Sequence, residues 1–133
     1  MGRASGKTKI VAAILVVMVA SIMGYLVLAY PSAVLNESGT LSGVASHTYP
    51  FSILFPKSSA QIVFTCSGTG LYRIIVRDNA GSIVFDSTTF SVPSTNTTGY
   101  SSWFSAFGAH TVQVSGTAMM TYTLTVMAKG FPW

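Results

Sequence analysis

MMTYTLTVM, residues 119–127, decides the fold. Met120, Tyr122, Leu124 and Val126 alternate with Thr121, Thr123 and Thr125. A period of two sends successive side chains to opposite faces, so this is a strand with one face in a core and the other in water. Upstream, Val112 and Val114 keep the same rhythm, as do Phe51, Ile53 and Phe55. Close to a third of the residues beyond Pro31 are Ser or Thr, too many for helices and suited to exposed strand faces. The periodicity predicts strands at 40–46, 49–55, 61–66, 71–77, 82–90, 100–105, 110–115 and 119–127. About eight short strands with turn signals roughly every 8–12 residues is the pattern of an antiparallel β-sandwich or jelly roll.

The hairpin around Asp78-Asn79-Ala80-Gly81 can be read to the level of register. Tyr72, Ile74 and Val76 share one face, and Ile83 and Phe85 fit the inward face of the next strand. A three-residue loop pairs Val76 with Val84 and sets Ile75 opposite Phe85, which mixes the faces. A four-residue loop pairs Val76 with Ile83 and Ile74 with Phe85, keeps the core side consistent, and is the prediction. It also sets Arg73 opposite Asp86 as a cross-strand ion pair, with Gly81 supplying the positive φ that ends the turn.

Before this domain lies IVAAILVVMVASIMGYLVLAY, residues 10–30, without a charge and long enough to cross a hydrocarbon core as a helix. Pro31 lacks the N–H needed to extend the ladder. Arg3, Lys7 and Lys9 precede the run and Tyr25 and Tyr30 lie toward its far end. The positive-inside preference then puts residues 1–9 in the cytoplasm and the domain outside, as a single-pass protein of the cell membrane. The expected organisation is a basic N-terminus (1–9), a transmembrane helix (10–30), a juxtamembrane linker (31–39), an extracellular sandwich (40–128) and an apolar tail (129–133). A cleaved signal ending at Ala29 competes with a retained anchor, because Val27-Leu28-Ala29 has the spacing a signal peptidase accepts. The apolar run exceeds the roughly 7–15 residues of a signal core, which favours retention. Ser21 and Gly24 are small enough to let a second helix approach closely.

The formal charge of +4 divides unevenly. Three of the seven basic residues stand before the helix, and the remaining four face three acids, leaving about +1 on the domain. Such a domain has no basic surface for nucleic acid.

Groups usually recruited for catalysis are scarce. A Ser-His-Asp site would need His47 or His110, and no serine sits in a glycine elbow. A carboxylate pair would have to come from Glu37, Asp78 and Asp86, which belong to the linker, the turn and the ion pair. Cys66 is the only cysteine, so no disulfide staples the domain. One Cys, two His and several Met suggest a blue-copper site, but the spacing after Cys66 (SGTGLYRI) lacks the following histidine and methionine. Cys66 shares parity with Ile62 and Phe64 and reads as a buried, inert thiol. His47 and His110 begin strands at inward parity and read as structural, with a shared metal or pH-sensing role as the lesser alternative. The expectation is no enzyme, no metal and no cofactor.

Two N-x-[ST] sequons, at Asn36 and Asn96, are glycosylation candidates. Phe131-Pro132-Trp133 is an apolar ending, expected to return to the helix end of the domain. There Phe131 and Trp133 either meet the membrane interface or a membrane partner, or pack on the domain's own edge.

From about His47 to Val126 the order of features resembles the jelly-roll modules called GOLD and pre-peptidase C-terminal domains. The resemblance rests on the Phe-rich strand, LYRIIVRDNAGSIVFDS (71–87), GAHTVQVSG (108–116) and MTYTLTV (120–126). It implies a non-catalytic module that binds partners or supports neighbouring domains. The apolar helix before a Ser/Thr-rich, sequon-bearing β-domain is also similar to archaeal pilins and archaellum-associated proteins.

The sequence thus reads as an all-β, about eight-stranded antiparallel sandwich of jelly-roll type behind one transmembrane helix. Its partners would be the lipid bilayer and other membrane or envelope proteins, with self-association open. The first functional reading is an accessory or structural subunit of a membrane or envelope complex. The alternatives are a pilin-like filament subunit and an anchored carbohydrate- or ligand-binding module.

Overall fold

A computed structural model describes residues 6–133; Arg3 lies outside them. One helix, α1 (Gly6–Ala29), leads into seven strands: β1 (Ser32–Ile53), β2 (Ser59–Asp78), β3 (Ile83–Asp86), β4 (Phe90–Ser91), β5 (Thr97–Tyr100), β6 (Phe104–Ser105) and β7 (Gly108–Lys129). The 24 residues of α1 rise roughly 36 Å, enough for a hydrocarbon core of about 30 Å. Its most apolar window has a mean hydropathy of 2.7. Only Ala29, at the junction with the domain, is buried.

All strands belong to one antiparallel sheet ordered β1-β7-β2-β3, with β4, β5 and β6 also along the free edge of β2. The segment 83–105 therefore runs as a fourth, interrupted strand beside β2, from Arg77↔Ile83 to Ser59↔Ser105. Six of the eight expected strands are halves of longer ones, and the other two, 82–90 and 100–105, fall on the fragments of the interrupted strand. The segments 40–46 and 49–55 are both β1, 61–66 and 71–77 are both β2, and 110–115 and 119–127 are both β7.

The stretches SGTG (67–70) and SGTA (115–118), which look like turns, are instead where the sheet folds over. Gly43, Ala118 and Gly70 lie on one rung, and the Val92 amide donates to the Gly70 carbonyl at its end. Gly68 and Gly70 have φ of 142° and 107°, accessible to glycine and strained for other residues. A Cβ on Gly70 would stand 2.3 Å from the Thr117 carbonyl oxygen, and one on Gly116 would stand 2.2 Å from that of Leu71. The β2 and β7 backbones thus meet at the corner with no room for side chains.

Face parity survives the corner. Ile62, Phe64 and Cys66 before it and Ile74 and Val76 after it are all buried, as are Val112 and Val114 with Met120, Tyr122, Leu124 and Val126. The sheet closes on its own apolar face like a folded leaf, which makes the two layers of a sandwich. Contacts cross between the layers: the Tyr49 and Tyr122 hydroxyls lie 2.6 Å apart, and the Phe85 and Phe104 rings stack at 5.2 Å. Both layers end at the helix side, because the connections 54–58 and 106–107 join their ends.

Two expectations need correction, and one lesser alternative falls away. Residues 31–39 are not a linker: strand begins at Ser32, and Asn36 pairs with Thr125 on the edge of β7. Alternation is weak there because the inward positions of this edge strand include Glu37 and Gly39, opposite Leu124 and Tyr122. The 78–82 hairpin has three loop residues, since the Asp78 amide donates to the Ser82 carbonyl at 2.9 Å. A bulge then absorbs Val84, so Val76 pairs with Phe85 and not with Ile83, and Asp86 stands opposite Ile75 and not Arg73. The face mixing that disfavours a three-residue loop is removed by that one extra residue. The two histidines, finally, are apart: His47 pairs with Val114 and His110 with Phe51, four rungs along, roughly 13 Å.

Candidate functional site

The interrupted strand leaves a cleft of about 430 Å³ between the layers on the β2 side of the sandwich. One wall is Ile62 and Phe64 from the first half of β2, and the other is Tyr72 and Ile74 from the second half. The Phe64 and Tyr72 rings come within 5.2 Å near the corner and form its back, and Phe85 closes the helix side. Phe90 and Tyr100 stand at the rim; Tyr100 is 70% exposed.

Gly99 creates the opening. It pairs with Phe64, so a side chain there would point from β5 over the Phe64 ring into the cleft. The nearest atom to a Cβ at this position is 4.0 Å away, so the space is real and the residue is unconstrained by contact.

Two serines finish the edge of β2 where strand pairing lapses. Ser87 Oγ accepts from the Ile74 amide at 2.8 Å and donates to the Thr88 carbonyl, and Ser101 Oγ accepts from the Ile62 amide at 2.9 Å and donates to the Ser102 carbonyl. Backbone amides facing the cleft are thereby satisfied without a continuous partner strand. Thr88, between the serine and β4, has φ of 62°. A β-branched residue in this region costs about 1–3 kcal/mol, and such strain gathers at functional sites. The Asp86 carboxylate helps to hold it, accepting from the Thr88 amide at 2.9 Å.

Asp86 also takes two donors from Arg73, Nε at 2.9 Å and Nη2. The Arg73 hydrogen bonds, then the Thr88 amide, bring its pKa down to about 2. It is an ionised acceptor, unsuited to proton donation near neutrality. Tyr72 and Cys66 lie side by side, and burial raises both pKa values, so the hydroxyl and thiol stay protonated. Tyr122 is raised likewise, by burial first and then by its bond to Tyr49. The cleft therefore offers aromatic faces and, at its rim, one carboxylate that Arg73 and the Thr88 amide hold in place. Among the described residues no cluster of three His, Cys, Asp or Glu could hold a metal ion.

The other sequence-predicted residues lie elsewhere. Asn36 is exposed on β1, its Oδ1 accepting from Thr125 Oγ1 at 3.5 Å. Asn96 is exposed at the lip of a shallow polar groove on the outer sheet face, beside Thr65 and Thr121. Ser21 donates to the Val17 carbonyl at 2.8 Å within α1, and the Gly24 position has open space around it. Gly81 ends the hairpin loop with φ of 86°. Phe131 and Trp133 lie at the foot of α1, where the Trp133 indole donates to the Leu26 carbonyl at 3.1 Å.

No protein-family model and no curated protein matches the chain. The resemblance to GOLD and pre-peptidase modules thus finds no support there. Solved structures do match. A carbohydrate-binding module of the CBM4 type aligns over 77% of this chain and 80% of its own, with a TM-score of 0.53 at 11% identity. A CBM36-1 domain of a xylanase from the hindgut metagenome of Trinervitermes trinervoides aligns over 78% and 94%, with a TM-score of 0.45 at 11% identity. A pilus protein of Bacillus endospore appendages aligns over 75% and 86%, with a TM-score of 0.44 at 12% identity. The likeness to the CBM4 module is one of fold: a jelly-roll β-sandwich.

Proposed function

We propose that this chain is a non-catalytic, membrane-anchored binding module that takes a carbohydrate in the cleft bounded by Phe64, Tyr72, Phe90, Gly99 and Tyr100. The apolar helix serves as a retained anchor, with Lys7 and Lys9 inside and the sandwich outside. The observation that carries the reading is the aromatic-lined cleft held open by Gly99. The C–H face of a sugar ring is apolar and weakly positive, and it complements the negative face of an aromatic ring. Asp86 at the rim, held by Arg73 and the Thr88 amide, then supplies a fixed acceptor for its hydroxyls. The fold shared with a carbohydrate-binding module supports the same reading.

The test is titration of the full chain in detergent micelles with neutral oligosaccharides, read by intrinsic fluorescence or calorimetry. Gly99→Leu, at a position free of backbone strain, should weaken binding at least tenfold while leaving the thermal transition in place. Failure of every sugar to bind, or binding indifferent to Gly99→Leu, would reject the cleft as the site.

The accessory- or filament-subunit reading has its own supporting observation. Among the described residues β1 pairs only with β7, so its other edge is a strand edge of 22 residues that a further strand can extend.

A further inference from the structure

We infer that the base of the sandwich is itself seated in the lipid interface, so that the domain stands directly on the bilayer and not on a free stalk. This rests on α1 being a membrane span, which gives the occupant: whatever surrounds the last turn of that helix also surrounds the loops packed on it.

The junction is built without slack. β1 begins three residues after α1 ends. The Gly130 amide donates to the Ala29 carbonyl at 2.9 Å, and the Trp133 indole reaches one turn further down, to Leu26. The Tyr30 and Trp133 rings meet edge to face at 5.0 Å, and Tyr25 meets Phe55 at 6.2 Å. Lys57 Nζ donates to Ser32 Oγ, tying the 54–58 loop to the first strand residue. At the centre, a Cβ on Gly130 would stand 2.1 Å from the Pro56 carbonyl oxygen and 3.2 Å from the Ala29 methyl. Helix end, loop and tail therefore close on one another at a position that only glycine fits.

Around this joint the two segments point large apolar side chains outward. Phe55 is 78% and Phe131 81% exposed, with Leu54 and Trp133 beside them. Phe107 is exposed on the neighbouring connection, next to the rung Ile53↔Gly108. Such residues at a loop tip are unfavourable in water, and here they flank the carbonyl end of an apolar helix. Aromatic side chains with Lys57 in the same loop and Lys129, over the Trp103 ring, at the adjoining strand end match the headgroup zone, where rings sit at the boundary and lysines reach to phosphate.

The experiment uses the full chain in phosphatidylcholine vesicles containing lipids brominated at known acyl depths. Trp103→Phe leaves Trp133 as the sole tryptophan, and a second variant, Phe55→Trp with Trp103→Phe and Trp133→Phe, reports on the loop. Both indoles should be quenched most by shallow bromines, and Phe55→Ser with Phe131→Ser should at least halve the quenching of Trp133. A chain that resists alkaline extraction while the indole introduced by Phe55→Trp escapes quenching would overturn the seating and leave the anchor intact. A chain released by alkali would overturn the anchor and the seating together.

Discussion

The two sides of the sandwich are built differently from the same kind of sequence. On one side β1 and β7 pair without interruption from Leu35↔Val126 to Ile53↔Gly108. On the other, β2 is met by four fragments separated by loops, with Ser87 and Ser101 filling the gaps. The continuous side buries Leu41, Val112, Val114, Leu124 and Val126 completely. The broken side leaves aromatic faces open and carries the strained Thr88. Continuous pairing covers most of the inward face on one side; on the other, the gaps at Ser87 and Ser101 and the missing side chain of Gly99 leave a surface free.

The comparison would break most visibly at the corner that joins both sides. Gly70→Val combines a φ of 107° with a Cβ 2.3 Å from a carbonyl, and the full chain in micelles should lose its cooperative thermal transition. If it folds with an unchanged transition, the two layers do not come from one folded sheet. Next in size is Leu124→Ala on the continuous side. It empties a fully buried site and should cost about 2–5 kcal/mol by denaturant titration. Phe90→Ala at the cleft rim, half exposed, should cost well under that while abolishing sugar binding. Equal costs would mean that the broken side is core after all.

The smallest effect concerns Asp86. Its folded pKa is lowered to about 2, below an ordinary value near 3.9, so its stabilisation is present above that ordinary value and disappears as pH falls through the folded one. The difference in Tm between the natural chain and Asp86→Asn should hold steady from about pH 7 to 5 and narrow between about pH 4 and 2. A difference independent of pH down to 2 would show that the Arg73 pairing contributes nothing.

Local alternation made the core legible, because parity alone tells which of Met120 or Thr121 faces inward. It did not reveal the cleft. Gly99 opens space only because it lies opposite Phe64, 35 positions away, and nothing local to TTGY (97–100) records that pairing. The hairpin shows the same limit on a smaller scale: face consistency selects a four-residue loop, but a bulge at Val84 reconciles the faces with a three-residue one.

By itself the sequence determined the apolar helix, its stop at Pro31, the strand character of the rest and the inward face of nearly every segment. Each follows from neighbours one to four residues apart, within reach of a backbone repeat. Tertiary structure alone decided that the apparent turns at SGTG and SGTA are a single corner, that 31–39 is strand, and that Gly130 locks helix, loop and tail together. Those outcomes depend on backbones brought within a few ångströms from distant parts of the chain, where a missing Cβ matters through what it would have struck.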